Sequence, residues 1–337
     1  MLISSREISF NLVDRRFNFD TSGPRPYTNI YGLWIFQTDA TQIQVDINNA
    51  LPYCDHLFVM LNEPTRADML ELVKCNPTVH FFSDFVVNGP KPDNFDTAIS
   101  WFVEPINYYA DSEHEWTETV LKLVEPVTNN NRPFLFDCLL GRKKPHRDCL
   151  HANISLNEAI RNRVYMQYYG DEIPNGNWKC LDLPGHTVEW ENEHCVVYDG
   201  SCVINRYSVL PYDIYNKSYY SIVTETSVFA EFSQITEKTC KPMLAKRPFL
   251  ILGGHNYLKN LRSLGFKTFG HIIDESYDAI EDVAERAKAL VKSAEELSKL
   301  DPVEVYRATQ AEREHNYRVF MDTNWHHAVS AKLNSLL

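Results

Sequence analysis

Three apolar runs of strand length mark the first part of the chain: IYGLWIF at 30–36, HLFVML at 56–61 and TVHFF at 78–82. Each is a short continuous run, and the polar stretches between them are long enough for a helix or a loop, which is the pattern of an α/β fold. A loop rich in Pro, Asn and Gly follows at 87–95, then an acidic segment, then the polar stretch TNNNRP at 128–133. Such punctuation predicts a domain boundary, with a first lobe over 1–127.

The pattern restarts with FLFDCLL at 134–140, a basic helix candidate, and a further strand candidate at 164–169. HCVVY and SCVIN flank Asp199-Gly200, a dipeptide suited to the positive φ angles of a two-residue turn, so a β-hairpin insertion is predicted near 194–205. Beyond it, SYYSIVTET, a helix over 236–246 and PFLILGG form a strand-helix-strand crossover, which requires a parallel sheet. A short helix follows with Leu258, Leu261 and Leu264 on one stripe and Gly265 as its stop. Ile280, Val283, Ala287, Val291, Ala294 and Leu297 recur near helical spacing, and Asp301-Pro302-Val303-Glu304 reads as a new helix start. A second lobe is expected over 128–300, with C-terminal helices at 301–337 packing across the lobes.

With 337 residues, 44% of them hydrophobic, the chain is long enough to bury a substantial core. No stretch approaches the ~18 consecutive apolar residues of a spanning helix, and charge appears within the first ten positions, so a soluble, cytoplasmic protein without membrane contact is predicted. The eight cysteines form no C-x-x-C pair, which signals neither a zinc site nor a disulfide framework. The net charge of −12 is unevenly spread: 38–126 holds 15 acids against 4 Lys and Arg, whereas 232–270 holds 7 Lys and Arg against the single acid Glu237. The second lobe is thus the one suited to an anion, although solvated faces produce charge runs as well.

Thr236 suits an N-cap, which puts Glu237 and Lys238 in the first helical turn, where free N–H groups and the helix dipole favour a bound anion. Lys241 lies four residues from Glu237 and can share its face, while Gly253 and Gly254 end the next strand and permit close backbone approach. Glu225, closing SYYSIVTET, is a candidate for contact with a sugar, and His255 for donation to a phosphate. A carboxylate accepts two hydrogen bonds from ribose hydroxyls, and a lysine neutralises phosphate oxygens. Spacing alone allows equally that Glu237 is an ordinary first-turn acid beside solvated lysines.

The stretch ITEKTCKPMLAKRPFLILGG resembles the donor-binding motif of α1,3-fucosyltransferases, in which a Glu-Lys pair opens a helix leading to an apolar strand that ends in Gly. The resemblance implies that Glu237 holds ribose and Lys238 approaches the diphosphate; Lys241-Pro242 departs from the small or apolar residues usual there. FLFDCLLGRKKPHRDCL is similar to the strand and loop that open the donor lobe of that family, and it puts Arg147 in the place of a phosphate-binding guanidinium, with Arg142, Lys143, Lys144 and His146 adding positive field. The C-terminal half, including YLKNLRSLGFKTF and IIDESYD, also resembles glycosyltransferase-like proteins encoded by tailed phages.

The resemblance implies two Rossmann-like lobes (GT-B architecture), a nucleotide-sugar donor as co-substrate, no other cofactor and no metal, in keeping with the absence of an Asp-x-Asp pair. It further implies an inverting transfer with a general base in the first lobe, for which Glu63 is the candidate and Asp84 and Asp20 are rivals. The acceptor is open. Modified cytosine in phage DNA is one option, against which the acidic first lobe argues; a catalytically inactive fold serving as a binding or virion protein is another.

Overall fold

The computed structural model describes residues 2–3, 30–36, 40–53, 56–62, 69–83, 85–97, 121–170, 188–190, 195–198, 202–205 and 210–323. It is a mixed α/β structure with parallel sheets and helices in two compact units. The chain leaves the second unit at Val228, contributes Phe229–Ile235 to the first, and returns at Thr236.

In the first unit β1 (Leu2–Ile3) pairs antiparallel with β2 (Ile30–Phe36), and β2 is followed by α1 (Ala40–Ala50), β3 (His56–Asn62), α2 (Met69–Cys75), β4 (Val79–Ser83), β5 (Phe85–Val87) and β6 (Phe95–Thr97). Strands β2, β3, β4 and β6 run parallel and adjacent. Ile43 and Ile47, one turn apart on α1, are fully buried in a core with Val59, Val73, Phe81 and Phe95. Phe232 enters the same core, and β13 (Phe232–Gln234) pairs antiparallel with β5. This is why a short segment from the expected second lobe belongs to the first unit.

The second unit is built on a four-stranded parallel sheet, in the order β14-β12-β7-β8. In chain order its elements are β7 (Phe134–Arg142), α3 (Pro145–Leu156), β8 (Val164–Gly170), β9 (Val188–Trp190), β10 (Cys195–Tyr198), β11 (Cys202–Asn205), α4 (Tyr212–Lys217), β12 (Ser218–Thr224), α5 (Glu237–Leu244), β14 (Phe249–Leu252), α6 (Tyr257–Ser263), α7 (Val283–Leu297), α8 (Pro302–Ala308) and α9 (Gln310–Asp322). Every residue of the central strand β12 is buried, and so is every residue of the edge strand β14, as in a parallel sheet covered on its faces. Helix α7 turns Ala287, Leu290, Val291, Ala294 and Leu297 inward and packs on α3 and β14. Asp301 caps α8, accepting from the N–H groups of Val303 and Glu304.

Two features differ from the sequence reading. Residues 121–127 belong to the second unit, because Asn216 bonds both the Glu125 N–H and the Leu123 carbonyl while the Arg132 guanidinium holds the Glu125 carbonyl. The hairpin register pairs Tyr198 with Cys202, so three residues connect the strands rather than two, and β9 adds a third strand. Among the described residues Cys75, Cys138, Cys149 and Cys240 are free thiols, and no helix is long and apolar enough to cross a membrane.

Candidate functional site

From β7 the chain crosses to β8 on one side, and from β12 it crosses to β14 on the other. The carboxyl ends of β7 and β12 therefore flank a topological switch point, where open parallel sheets bind ligands. Most of the expected donor residues fall at this edge of the sheet.

The loop after β7 is aimed by a bulge. The β7–β8 register slips at Gly141, whose φ of 62° is ordinary for glycine and costly for other residues. Helix α3 then opens with Lys144 as its N-cap residue and Pro at its first position, so His146 and Arg147 sit in its first turn, both buried. The Arg147 guanidinium turns back to Gly141: a Cβ placed there would lie 3.5 Å from Nη1.

The turn after β12 collects contacts from both flanking elements. His146 Nε2 donates to the Glu225 carbonyl at 3.0 Å, and Lys144 Nζ donates to the Thr226 carbonyl at 2.8 Å. From the other side, Lys238 Nζ donates to Thr226 Oγ1 at 3.1 Å. Burial, reinforced by the Arg147 cation, lowers the His146 pKa to about 4, so the ring is neutral near pH 7.

Thr236 is the N-cap of α5, accepting from the Lys238 N–H at 3.3 Å as the sequence predicts. Glu237 and Lys238 are paired at 2.7 Å, with 9% and 28% of their side chains exposed. Burial acts to raise the Glu237 pKa, but the charges of Lys238 and Lys241 and the hydrogen bonds to the carboxylate act against it, and the net shift is downward. Glu237 is thereby held as a carboxylate, and Lys241 is half-buried on the same helix.

Glu225 is placed differently from the expectation of contact with a sugar. It is fully buried, and its carboxylate accepts from Thr236 N at 3.2 Å, Thr236 Oγ1 at 2.5 Å, Thr239 Oγ1 at 2.5 Å and Tyr257 Oη at 2.7 Å. It fixes the start of α5 from beneath. Gly253 also has a packing reason: a Cβ would lie 2.2 Å from Tyr257 Cδ2, so the strand end has room only for hydrogen. Its carbonyl accepts from Arg286 Nη2 at 3.1 Å, and that of Gly254 from the Tyr257 N–H at 3.2 Å. His255 Nε2 meets the Ala279 carbonyl at 3.2 Å.

The structure thus brings Arg147, Glu225, Glu237 and Lys238 to one edge of one sheet. Sequence reasoning missed Thr226, Thr239 and Tyr257. The i, i+3 pair Thr236 and Thr239, and a large aromatic three residues after Gly254, are the signals that point to them. Glu63, Asp84 and Asp20 lie outside the described residues, as do the side chain of Arg142 and residues 199–201 of the hairpin. Among the described residues no group of three or more His, Cys, Asp or Glu is arranged to hold a metal ion. In comparisons with known proteins, the chain matches no family model and no curated protein.

Proposed function

We propose that the chain is a glycosyltransferase of GT-B architecture, with two Rossmann-like lobes, whose second unit holds the diphosphate of a nucleotide sugar at the β7/β12 switch point. The observation that carries this reading is the convergence of two helix N-termini, those of α3 and α5, on the Glu225-Thr226 turn, each bringing a cation, Arg147 and Lys238. Such ends present N–H groups and positive potential to an anion, and a guanidinium adds bidentate recognition. The resemblance of the same stretches to α1,3-fucosyltransferases supports the sugar-nucleotide assignment.

In this reading Lys238 exchanges its Glu237 partner for a phosphate oxygen, which leaves the Glu237 carboxylate to accept from ribose hydroxyls. Arg147 binds the second phosphate, and Lys241 adds to the field. Gly253, Gly254 and Glu225 act indirectly, as the packing and hydrogen bonds that position α5. As the glycosidic bond to the donor breaks, these cations stabilise the leaving diphosphate. Glu63 is the proposed base that takes the proton of the attacking acceptor hydroxyl in an inverting transfer. No cofactor besides the donor enters this scheme, so turnover is expected to survive chelation.

The test is a screen of nucleotide sugars by thermal shift, followed by mass spectrometry of candidate acceptors, with modified DNA among them. A stabilising donor is expected, and Lys238→Ala should weaken it by about tenfold or more, the value of a charge-assisted hydrogen bond, without loss of fold. Equal donor affinity in the variant overturns the assignment. Donor binding without transfer or hydrolysis would indicate an inactive binding protein.

A further inference from the structure

The amino ends of the same strands carry a second concentration of positive charge, wholly within the second unit. A cavity of about 560 Å³ opens there beside Arg132, just before β7, and Arg247, just before β14, with Arg313 and Tyr317 of α9 on its wall. Strand β7 spans nine residues between Arg132 and the Arg147 loop, so the cavity lies roughly 30 Å from the proposed donor site. Its lining holds six cations, Lys122, Arg132, Lys246, Arg247, Arg307 and Arg313, against the two carboxylates Glu125 and Glu314. In a chain of net charge −12 this is a local reversal of sign.

Carboxylates partner Arg247, Lys246 and Arg307. Arg247 pairs with buried Asp137 at 2.7 Å, Lys246 with Glu314 at 2.9 Å, and Arg307 with Glu304. Arg132 and Arg313 have none within ion-pair distance among the described residues. Arg132 donates to the carbonyls of Tyr215, Ser218 and Glu125, and Arg313 to those of Lys246 and Tyr306 and to Thr309 Oγ1. Carbonyls satisfy N–H groups but neutralise no charge. Burial lowers the pKa of both guanidiniums, and the charge of Arg247 adds to the effect on each.

Two details indicate that the charges are held for use. Arg313 lies over the Tyr306 ring and Lys246 over the Tyr317 ring, each 4.4 Å from the centroid, which fixes both cations beside the cavity. Lys246 also occupies a left-handed backbone position, φ 49°, just past α5, where glycine or asparagine is the ordinary occupant.

We propose that this cavity is a second anion site, separate from the donor site, that takes a small phosphorylated ligand, a phosphate ester or diphosphate, between Arg132, Lys246 and Arg313. The probe is inorganic pyrophosphate, titrated calorimetrically into the full chain at low ionic strength, where partly exposed charges are least screened. Saturable binding is expected to persist in Lys238→Ala, which removes only a donor-site cation, and to weaken about tenfold in Lys246→Asn, a change that keeps a residue tolerant of the left-handed position. Pyrophosphate should also protect Lys246 of the unaltered protein from amine acylation, read by mass spectrometry. Absence of saturable binding in Lys238→Ala, equal affinity in folded Lys246→Asn, or unprotected Lys246 at saturating pyrophosphate each overturns the proposal. Because the readout is taken with the donor site weakened, failure here leaves the donor-site reading standing, and the reverse holds as well.

Discussion

His146 donates its Nε2 proton to the main-chain carbonyl of Glu225 across 3.0 Å, joining the helix start after β7 to the turn after β12. The two sides of the switch point are therefore linked through a ring that burial and Arg147 keep neutral, with a pKa of about 4. In the unfolded chain the ring titrates near 6.5, so between these values the unfolded state binds more protons and stability rises with pH. The contribution is complete above about pH 6.5 and is lost on descending to pH 4, amounting to about 3 kcal/mol. Gln at this position keeps a donor and removes the titration. The difference in unfolding free energy between wild type and His146→Gln should thus decline over that window; parallel stability curves from pH 7 to pH 4 would contradict the assignment.

Glu225 is expected to act on donor affinity through α5 rather than by contact. Glu225→Gln replaces one carboxylate oxygen with an NH₂ group, which at the Oε1 position faces the N–H of Thr236 and the hydroxyls of Thr239 and Tyr257, and at the Oε2 position faces the Thr236 hydroxyl and the N–H of Thr226. Stranding buried donors costs about 1–3 kcal/mol each. Loss of about 3 kcal/mol is predicted by denaturant titration, and any donor that binds should weaken in parallel. A Gln variant of unchanged stability would mean that Glu225 is not the anchor of that helix start.

Strand 30–36 was legible to the residue, and 134–140 and 164–169 to within two, because short runs of apolar and aromatic residues of strand length carry the strand signal within themselves. The caps Thr236 and Asp301 were legible as well, since a capping hydrogen bond is made within three residues of sequence. What stayed hidden depends on distant partners. Phe232 belongs to the core of the first unit through contacts with residues more than 130 positions away, and nothing in FSQ announces that. Glu225 reads as an accessible carboxylate at a strand end until the hydroxyls that enclose it, from 236, 239 and 257, are assembled in space.

Glu63 is the next residue in the sequence after Asn62, the last of β3, which belongs to the parallel sheet of the first unit. If it is the base of an inverting transfer, Glu63→Gln removes the proton acceptor while keeping size and hydrogen-bonding capacity. Turnover should fall by roughly 10²-fold or more, the range of general-base catalysis, with donor affinity unchanged. Single-turnover rates near wild type would make it a turn residue and move attention to Asp84 and Asp20.

Gly253 and Tyr257 test whether the strand end serves packing or ligand approach. A Cβ at 253 would fall within 2.2–2.8 Å of three atoms of the Tyr257 ring, and that ring is fully buried with its hydroxyl on Glu225. Neither the ring nor the backbone of β14 can yield without disturbing the other, so Gly253→Ala should destabilise by about 1–3 kcal/mol, the usual cost of overpacking. Tyr257→Leu removes the clash but also a hydrogen bond to Glu225, and alone it should destabilise too. In the double variant Gly253→Ala with Tyr257→Leu, the leucine leaves room for the new methyl, so the combined loss should be smaller than the sum by 1 kcal/mol or so, within the range of couplings between touching residues. Strict additivity of the two losses would show that the ring is not what excludes a side chain at 253, and close approach of a ligand to the backbone would then be the better account of that glycine.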